Sequence, residues 1–476
     1  MFYRALSPLN TQLSRILFSP VNIAFLVFFR MAFGAIMLWE IWRYFYYDWI
    51  YDYWIAPGFN FTYHGLGWVQ PWPGEFMYWH FAALGVLAVF ILVGFCYRVS
   101  AILFCLGFTY VFLLEQAHYL NHFYLISLIS LLMVFLPAHR LLSVDVLLKP
   151  KLLTHTAPVW TLWLLRFQIG VPYFFGGVAK LNGDWLRGQP MGLWLSEATD
   201  FPVMGAFFTE PWMALLLSYG GLLLDLLIVP LLLWKPTRGF AFSLAVLFHL
   251  TNARLFSIGI FPWFMIAATT VFFAPNWPQQ LFGWLKGTIR RAPKRGRQSH
   301  SPVQPFSVST LSAPNPRQRL ALMGLALYVG FQCVMPLRHY LYPGNANWTE
   351  EGHRFAWHMK LRDKAGTAKF FVRNPTSGKV QQVWPEDYLT ARQARKMAAR
   401  PDMVVQFSHF LAAESTPPGE PSVEVRAWVM ASLNGRAPQM LIDPNQDLAK
   451  ISLSFQPADW ILPLREAKAI AETTEK

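Results

Sequence analysis

Two histidines, a lysine, an asparagine and a tyrosine sit where apolar segments of this chain meet polar ones. Lys180 closes the stretch PVWTLWLLRFQIGVPYFFGGVAK, from Pro158, which runs into LNGDWLRG. An ionisable side chain at the edge of a membrane-length helix is costly to hold there and marks a candidate functional site. The competing reading is an anchor whose ammonium reaches the headgroups. Tyr173, Gly176 and Lys180 share one helical face by their spacing. The two glycines before the lysine serve close helix packing, or the approach of a flat ring. Asn121-His122 opens another apolar stretch, and His249, Thr251 and Asn252 close a third. Either histidine has a structural alternative, as an interfacial residue or as a partner of a backbone carbonyl. Arg30, inside the first apolar stretch, is expected to pair with Glu40 or another buried acid. A lysine kept from water is neutral part of the time and can then deprotonate a phenol-like donor. A lipid-soluble quinol entering sideways from a bilayer is such a donor.

The elements that must position these groups are membrane spans. The chain has 476 residues, 54% hydrophobic and 14% charged, which is membrane-protein composition. Nine candidate spans lie at roughly 21–45, 77–95, 99–115, 121–142, 158–180, 213–234, 238–251, 256–273 and 319–338. The seventh is short and re-entrant in character. Val21 onward reads as a retained span rather than a cleaved signal peptide. The expected fold is a polytopic α-helical membrane protein with a C-terminal β-rich extramembrane domain. Its parts are a bundle over residues 1–338, with a basic cytoplasmic loop at 284–318, and the β-rich domain at 339–476.

Charge sets the orientation. Segment 284–319 holds Lys286, Arg290, Arg291, Lys294, Arg295, Arg297, Arg317 and Arg319 and no acid. Such a loop marks the cytoplasmic side and suits anionic lipid. It explains much of the net charge of +14 without nucleic acid, since no recognition fold accompanies it. Loops 46–76 and 181–212 are acidic, and the alternation puts the N-terminus in the cytoplasm and the chain beyond Arg338 on the opposite side. Lys180, the Asn121-His122 pair and the His249 cluster then lie at similar depth near the outer face, beneath the C-terminal domain. A site between helices with an extramembrane lid has this arrangement. In the C-terminal part, AKFFVRNPTSGKVQQVW from Ala368 reads as strand–turn–strand, and Asn434-Gly435 is a hairpin signal. ARQARKMAA from Ala391 reads as a helix. Cys96, Cys105 and Cys333 show neither metal nor disulfide spacing, and no metal constellation is evident. Asn347-Trp348-Thr349 matches a glycosylation sequon, read as fortuitous.

Several strings carry a family resemblance. They are GFCYRVSAILF from Gly94, YVFLLEQAHYLNHFYL from Tyr110, SVDVL from Ser143, YFFGGVAKLNGDWLRG from Tyr173, FHLTNARLFSIGIFPW from Phe248 and NANWTEEGHRFAW from Asn345. With the Asp443-Pro444 region, they make the chain resemble the vitamin K-dependent gamma-carboxylases, within the wider group of horizontally transferred transmembrane-domain proteins. The resemblance implies an enzyme, a carbon–carbon lyase. A lysine deprotonates reduced vitamin K (phylloquinol or menaquinol), and reaction with O2 yields a strong oxygen base. That base removes a γ-proton from a protein or peptide glutamate, the carbanion adds CO2, and the quinone leaves as its epoxide. The resemblance makes Lys180 the base and His122 the active-site histidine. It places Asn121 beside the cofactor oxygens, and Tyr173, His249 and Phe261 in the quinone pocket, with no metal.

The sequence departs from the family pattern at Ala179, where a second lysine is common, at Asn182, where an acid follows, and at Leu120, where an asparagine precedes Asn121. The chain shows no counterpart of the long C-terminal extension of animal carboxylases. That places propeptide-directed carboxylation in doubt and suggests a bacterial inner-membrane homologue with a periplasmic C-terminal domain. Two alternatives stay open: a quinol epoxidase without efficient protein carboxylation, and a non-enzymatic quinone-binding protein or transporter.

Overall fold

The computed structural model describes residues 7–286 and 314–465, so most of the basic loop expected at 284–318 lies outside the described residues. Apolar runs fold as helices wherever they are long enough to satisfy their own backbone, as a bilayer demands. They are α1 (Ala24–Tyr46), α2 (Phe76–Val93), α3 (Tyr97–Leu113), α4 (Asn121–Phe135), α5 (Val159–Ala179), α6 (Pro211–Leu233), α7 (Arg238–Phe256), α8 (Phe261–Thr269) and α9 (Pro316–Val334).

The expectation of nine spans holds only in part. Among the described residues, five helices have the length and apolarity to cross a membrane: α1, α2, α6, α7 and α9 with its continuation to Leu341. Helices α3, α4 and the Phe261–Phe272 stretch are apolar but shorter. Helix α5 has 21 residues but carries Arg166, Gln168 and Pro172. The seventh segment, expected to be short, runs 19 residues to Phe256.

Two arginines of the bundle helices are met by backbone carbonyls at chain reversals rather than by acids. Arg30 does not pair with Glu40; it donates to Ala138 O (3.1 Å) and Leu142 O (2.6 Å), while Glu40 pairs with Arg43 at 2.6 Å. Arg166 likewise donates from Nε to Val271 O at 3.0 Å. A buried cation needs such partners. Gly94 makes the tight reversal between α2 and α3. Its φ is 69°, and a Cβ there would stand 2.5 Å from both Arg30 and Ser143 side chains.

Two short strands, β1 (Pro20–Asn22) and β2 (Thr156–Pro158), pair antiparallel, with Val21 opposite Ala157. They bring the starts of α1 and α5 to one level, so the far ends of both helices, and Lys180 with them, emerge on the same side.

The C-terminal region is a sheet with helices. Strands β3 (Lys364–Arg373), β4 (Val380–Val383), β5 (Glu424–Leu433) and β6 (Gln439–Met440) form an antiparallel sheet in the order β4-β3-β5-β6. Both hairpins fall where the sequence indicates them, and Asn434 (φ 52°) and Gly435 (φ 78°) supply the two positive-φ positions of the second turn. The ARQARKM helix forms as α10 (Ala391–Met397), started by a Thr390/Gln393 capping box. β-rich describes this region incompletely, because a 15-residue helix, α11 (Pro401–Ser415), buries Met403, Val404, Phe407 and Leu411 among the apolar side chains of the sheet. On β5 the inward residues alternate, Val425, Ala427, Val429, Ala431 and Leu433, as a half-buried strand requires. Phe61 and Ala117, from loops of the bundle, belong to this same core. The sequon residue Asn347 is buried, 7% exposed, and Trp348 beside it is fully buried.

Candidate functional site

Lys180 is the C-cap of α5 and turns back along it. Its Nζ donates to Gly176 O at 3.3 Å and meets Asp225 Oδ2 at 2.5 Å. Lys180 is 6% exposed and Asp225 4%. The Trp185 ring lies 5.2 Å from the ammonium. Asp225 is the one acid in α6, surrounded in sequence by leucines. Gly177 explains how α5 and α6 come close enough. A Cβ on Gly177 would stand 2.7 Å from Leu226 Cδ2, and one on Gly176 would lie 3.4 Å from Asp225 Oδ2 and from Met359 Cε. Gly177 therefore lets α5 and α6 pack closely beside the pair, whereas a methyl at Gly176 would make only ordinary contacts.

Two turns earlier on α5 the second element forms. Tyr173 OH is 2.6 Å from His249 Nε2 and 3.4 Å from Thr269 Oγ1. His249 Nδ1 is buried without a partner. The Phe261 ring lies 5.9 Å from the His249 ring, edge-on, and 5.6 Å from the His122 ring at an interplanar angle of 32°. Asn121 is already engaged: its Nδ2 donates to His358 O (3.1 Å) and its Oδ1 accepts from Tyr119 OH (3.0 Å). Tyr119 OH accepts in turn from Phe355 N at 2.7 Å. Asn121 thus ties the segment 355–358 down over the bundle.

Lys180, His122, Asn121, Tyr173, His249 and Phe261 all line one cavity of about 1320 Å³. This exceeds the few hundred to ~1,000 Å³ of usual small-molecule sites, so there is room for a ring system and a second substrate group. Leu-rich α6 and α7 line its membrane side, and the C-terminal region supplies the opposite wall.

That opposite wall is basic. Lys360, Arg362, Lys364, Arg392, Arg395, Lys396 and Arg400 line it against Glu350 and Asp363. Arg362 holds Glu350 with Nε at 2.8 Å from Oε1 and with its Nη2 on Oε2. Lys364 Nζ lies 3.6 Å from Glu350 Oε1. Burial alone would raise the Glu350 carboxyl, but Arg362, His353, Lys364 and Arg400 outweigh it and hold the group well below the usual range. Burial, aided by Arg400, Arg392 and Arg395, pushes Lys396 down to about 8. Burial also takes Lys364 to about 8, against the opposing pull of Glu350. A wall of cations short of counter-ions suits an acidic substrate.

Sequence reasoning missed two parts of this site. Asp225 was legible as a lone acid in an apolar helix, but not as the partner of Lys180. The basic wall had a signal in the i, i+3, i+4 spacing of Arg392, Arg395 and Lys396 within ARQARKM, which puts three cations on one face of α10. A clamp beside the site ties the segment after α5 to the turn after β5. Arg436 donates to both oxygens of Asp184, at 2.7 and 2.8 Å, and Asn434 Nδ2 donates to Asp184 Oδ2 at 2.8 Å. Among the described residues no group of three or more metal-ligating side chains comes together.

Apolar helices around a buried ion pair, roofed by a sheet-containing region with a basic face, define an integral membrane protein with a site between bilayer and water. Residues 18–277 match the HTTM domain, and residues 317–467 match the lumenal domain of vitamin K-dependent gamma-carboxylase. The first match spans more than half of the chain, and with the second it makes this protein a member of the HTTM-containing vitamin K-dependent gamma-carboxylase family. No solved structure matches the chain.

Proposed function

We propose that the protein is a vitamin K hydroquinone-dependent gamma-glutamyl carboxylase, a carbon–carbon lyase. In the net reaction reduced quinone, O2, CO2 and a glutamate residue give quinone epoxide, water, γ-carboxyglutamate and a proton. The observation that carries the reading is Lys180 buried against Asp225 in a cavity shared by an aromatic–histidine cluster and a basic wall. A flat naphthoquinone ring suits the space beside Phe261 and His122, and the unpartnered His249 Nδ1 is a polar atom free to meet a ligand. When bound, reduced vitamin K supplies, through its oxidation by O2 to the epoxide, the base strength needed to remove a γ-proton from glutamate.

The chain's own groups do the rest. Lys180 Nζ passes a proton to Asp225 Oδ2 and, as the neutral amine, takes the phenolic proton, so the pair as a whole is the acceptor and its net charge rises by one. His122 and Asn121 orient the cofactor oxygens, Tyr173 and Phe261 pack the ring, and His249 holds the Tyr173 hydroxyl. The basic wall receives the glutamate carboxylate and turns its γ-carbon toward the ring. Residues 1–338 form the membrane bundle and 339–476 the domain on the non-cytoplasmic face, periplasmic in a bacterial inner membrane. Phylloquinol or menaquinol, O2 and CO2 are the co-substrates, and membrane lipid surrounds the bundle.

The test is incorporation of labelled CO2 into a glutamate-rich peptide by purified protein with reduced vitamin K and O2, beside Lys180→Ala. Epoxide is measured in the same tubes. Label and epoxide together, both lost in the variant, support the reading. Epoxide without label would replace it with an uncoupled quinol epoxidase. Neither product from folded, quinone-binding protein would leave a binding protein.

A further inference from the structure

Five acids are buried among the described residues: Glu40, Glu115, Asp184, Asp225 and Glu350. In three of them both carboxylate oxygens are held. Glu115 accepts from Ala117 N on Oε1 and from Phe61 N and Gln393 Nε2 on Oε2. Asp184 is held on both oxygens by Arg436, and Glu350 on both by Arg362. Asp225 and Glu40 differ. Each spends one oxygen on a cation, Asp225 on Lys180 and Glu40 on Arg43, and its other oxygen accepts from no described residue. A buried carboxylate oxygen without a donor is costly to keep. Both of these acids line the same cavity.

The Asp225 pair has a part in the proposed reaction, and the Glu40 pair has none. Its surroundings are nonetheless closely fitted. Arg43 Nη1 makes a single 2.6 Å bond to Glu40 Oε2, although an arginine fork can engage both oxygens of a carboxylate. The guanidinium lies 4.9 Å from the centre of the Trp49 ring. Gly259, at φ 62°, brings the turn between α7 and α8 against it, where a Cβ would stand 2.9 Å from Nη1. Depth agrees as well. Glu40 follows Ala24 by 16 residues and Tyr173 follows Val159 by 14, about 24 and 21 Å along helices that start at one level. The aromatic–histidine cluster joins the two pairs, with Tyr173 two turns from Lys180 at one end and Gly259, two residues before Phe261, against Arg43 at the other.

A para-quinol carries two hydroxyls on opposite edges of one ring, and oxidation to the epoxide removes both protons. The Lys180–Asp225 pair accounts for one. We infer that Glu40 is a second catalytic carboxylate, whose Oε1 accepts the hydrogen bond of the other hydroxyl and takes its proton as O2 oxidises the ring. The O–H bond breaks, its electron pair stays on the ring oxygen, and the proton passes from Glu40 to the water that carries away one atom of O2. Arg43 is the positioning residue, since its bond on Oε2 leaves Oε1 to the cavity. This rests on the function proposed above and adds a second group to the same site. The alternative is an i, i+3 pair that only neutralises Arg43, and it predicts no preference between redox forms of the ring.

The experiment reads binding rather than turnover. Menadiol, whose hydroxyls donate, and menadione, whose carbonyls only accept, are measured against the full-length protein by equilibrium dialysis under argon. In Glu40→Gln, Arg43 keeps the amide oxygen and the amide N–H turns to the cavity, so a donor replaces an acceptor. The ratio of the two dissociation constants should move about tenfold toward menadione, the loss of one hydrogen bond to a charged group. Glu40→Leu/Arg43→Met removes the pair without stranding a buried charge and should lose the same preference for menadiol. Trp42→Leu, next to Arg43 but exposed and outside the cavity, should leave the ratio unchanged. An unchanged ratio in both Glu40 variants, or equal weakening of both ligands, would overturn the second carboxylate. If the parent makes epoxide and labelled peptide while the ratio stays fixed, Glu40 alone loses its role. A shifted ratio in protein that makes neither product would sink the carboxylase reading and leave the ring site standing. A parent that binds neither ring would overturn both.

Discussion

Replacing Lys180 by methionine keeps its unbranched stem and removes its charge, which isolates the electrostatics of the pair. At 2.5 Å the Lys180–Asp225 contact is worth about 7 kcal/mol of gross attraction at an effective dielectric of about 20. Taking both ions out of water costs several kcal/mol each, so the intact pair is close to neutral for stability. The single variant is different, because Asp225 is left buried with no cation. The expected loss is about 3–5 kcal/mol. Lys180→Met/Asp225→Leu removes both charges and should recover to within about 1–2 kcal/mol of the parent. The assay is tryptophan-monitored unfolding of the parent, both single variants and the double variant in one detergent. A single-variant loss below about 1 kcal/mol, or a double variant as unstable as Lys180→Met, would refute a desolvated ion pair. The result also bears on chemistry. The double variant should fold yet form no epoxide, which separates loss of the base from loss of the fold; turnover by it would remove Lys180 from the proposed mechanism.

Three further expectations follow from other parts of the site. Lys364 and Lys396 lose charge near pH 8 in the folded protein, so KM for a glutamate peptide should rise above that pH, and Lys396→Gln should raise KM below pH 8 and blunt the rise above it. Both lysines hold their protons more tightly when unfolded, near the ordinary 10.5, so stability should increase between pH 8 and 10.5, less steeply in Lys396→Gln. Gly177→Ala drives a Cβ to 2.7 Å from Leu226 Cδ2 and 3.1 Å from its backbone N, next to Asp225; it should cost about 1–3 kcal/mol and lower turnover, whereas Gly324→Ala, in open space, should do neither. Arg436→Ala strips a bidentate partner from Asp184 and should cost about 1.5–3 kcal/mol, with faster hydrogen exchange across residues 181–190 as its signature.

The sequence exposed what is local and periodic. Apolar runs of bilayer length located the helices, the Asn434-Gly435 pair located a turn, and charge alternation put Lys180, His122 and His249 at one depth. What it hid depends on contacts between distant segments. Asp225 is 45 residues from Lys180, and only the rotation of α6 about its axis, set by Gly177 against Leu226, turns it toward the lysine. Arg30 looked like an acid's partner because carbonyls left open at a chain reversal have no sequence signature. Helix α11 was overlooked because its apolar residues, at 403, 404, 407 and 411, sit between strong hairpin signals that invite an all-strand reading. The number of true crossings is hard to read for the same reason: α5 trades apolarity for Arg166, met by carbonyls just past α8, and for Gln168, whose Oε1 accepts from the Tyr328 hydroxyl of α9.

The Asn434-Gly435 turn has a second life as a record of ageing. An asparagine followed by glycine is the sequence most prone to lose its side-chain amide, because the glycine nitrogen reaches the amide carbon unhindered. Here both ends of that amide are occupied, Oδ1 by Asp363 N at 2.9 Å and Nδ2 by Asp184 at 2.8 Å, and the residue is 7% exposed. The closed structure therefore shelters the reaction, and each opening of the roof permits it. Once it has happened the donor to Asp184 is a carboxylate, and two like charges face each other where a hydrogen bond stood. Damage at this one position would loosen the roof that had prevented it, so the lesion should promote further opening. Peptide mapping of stored protein, with and without Arg436→Ala, reads this directly: conversion should run faster in the variant, and equal rates would show that the clamp does not protect the turn.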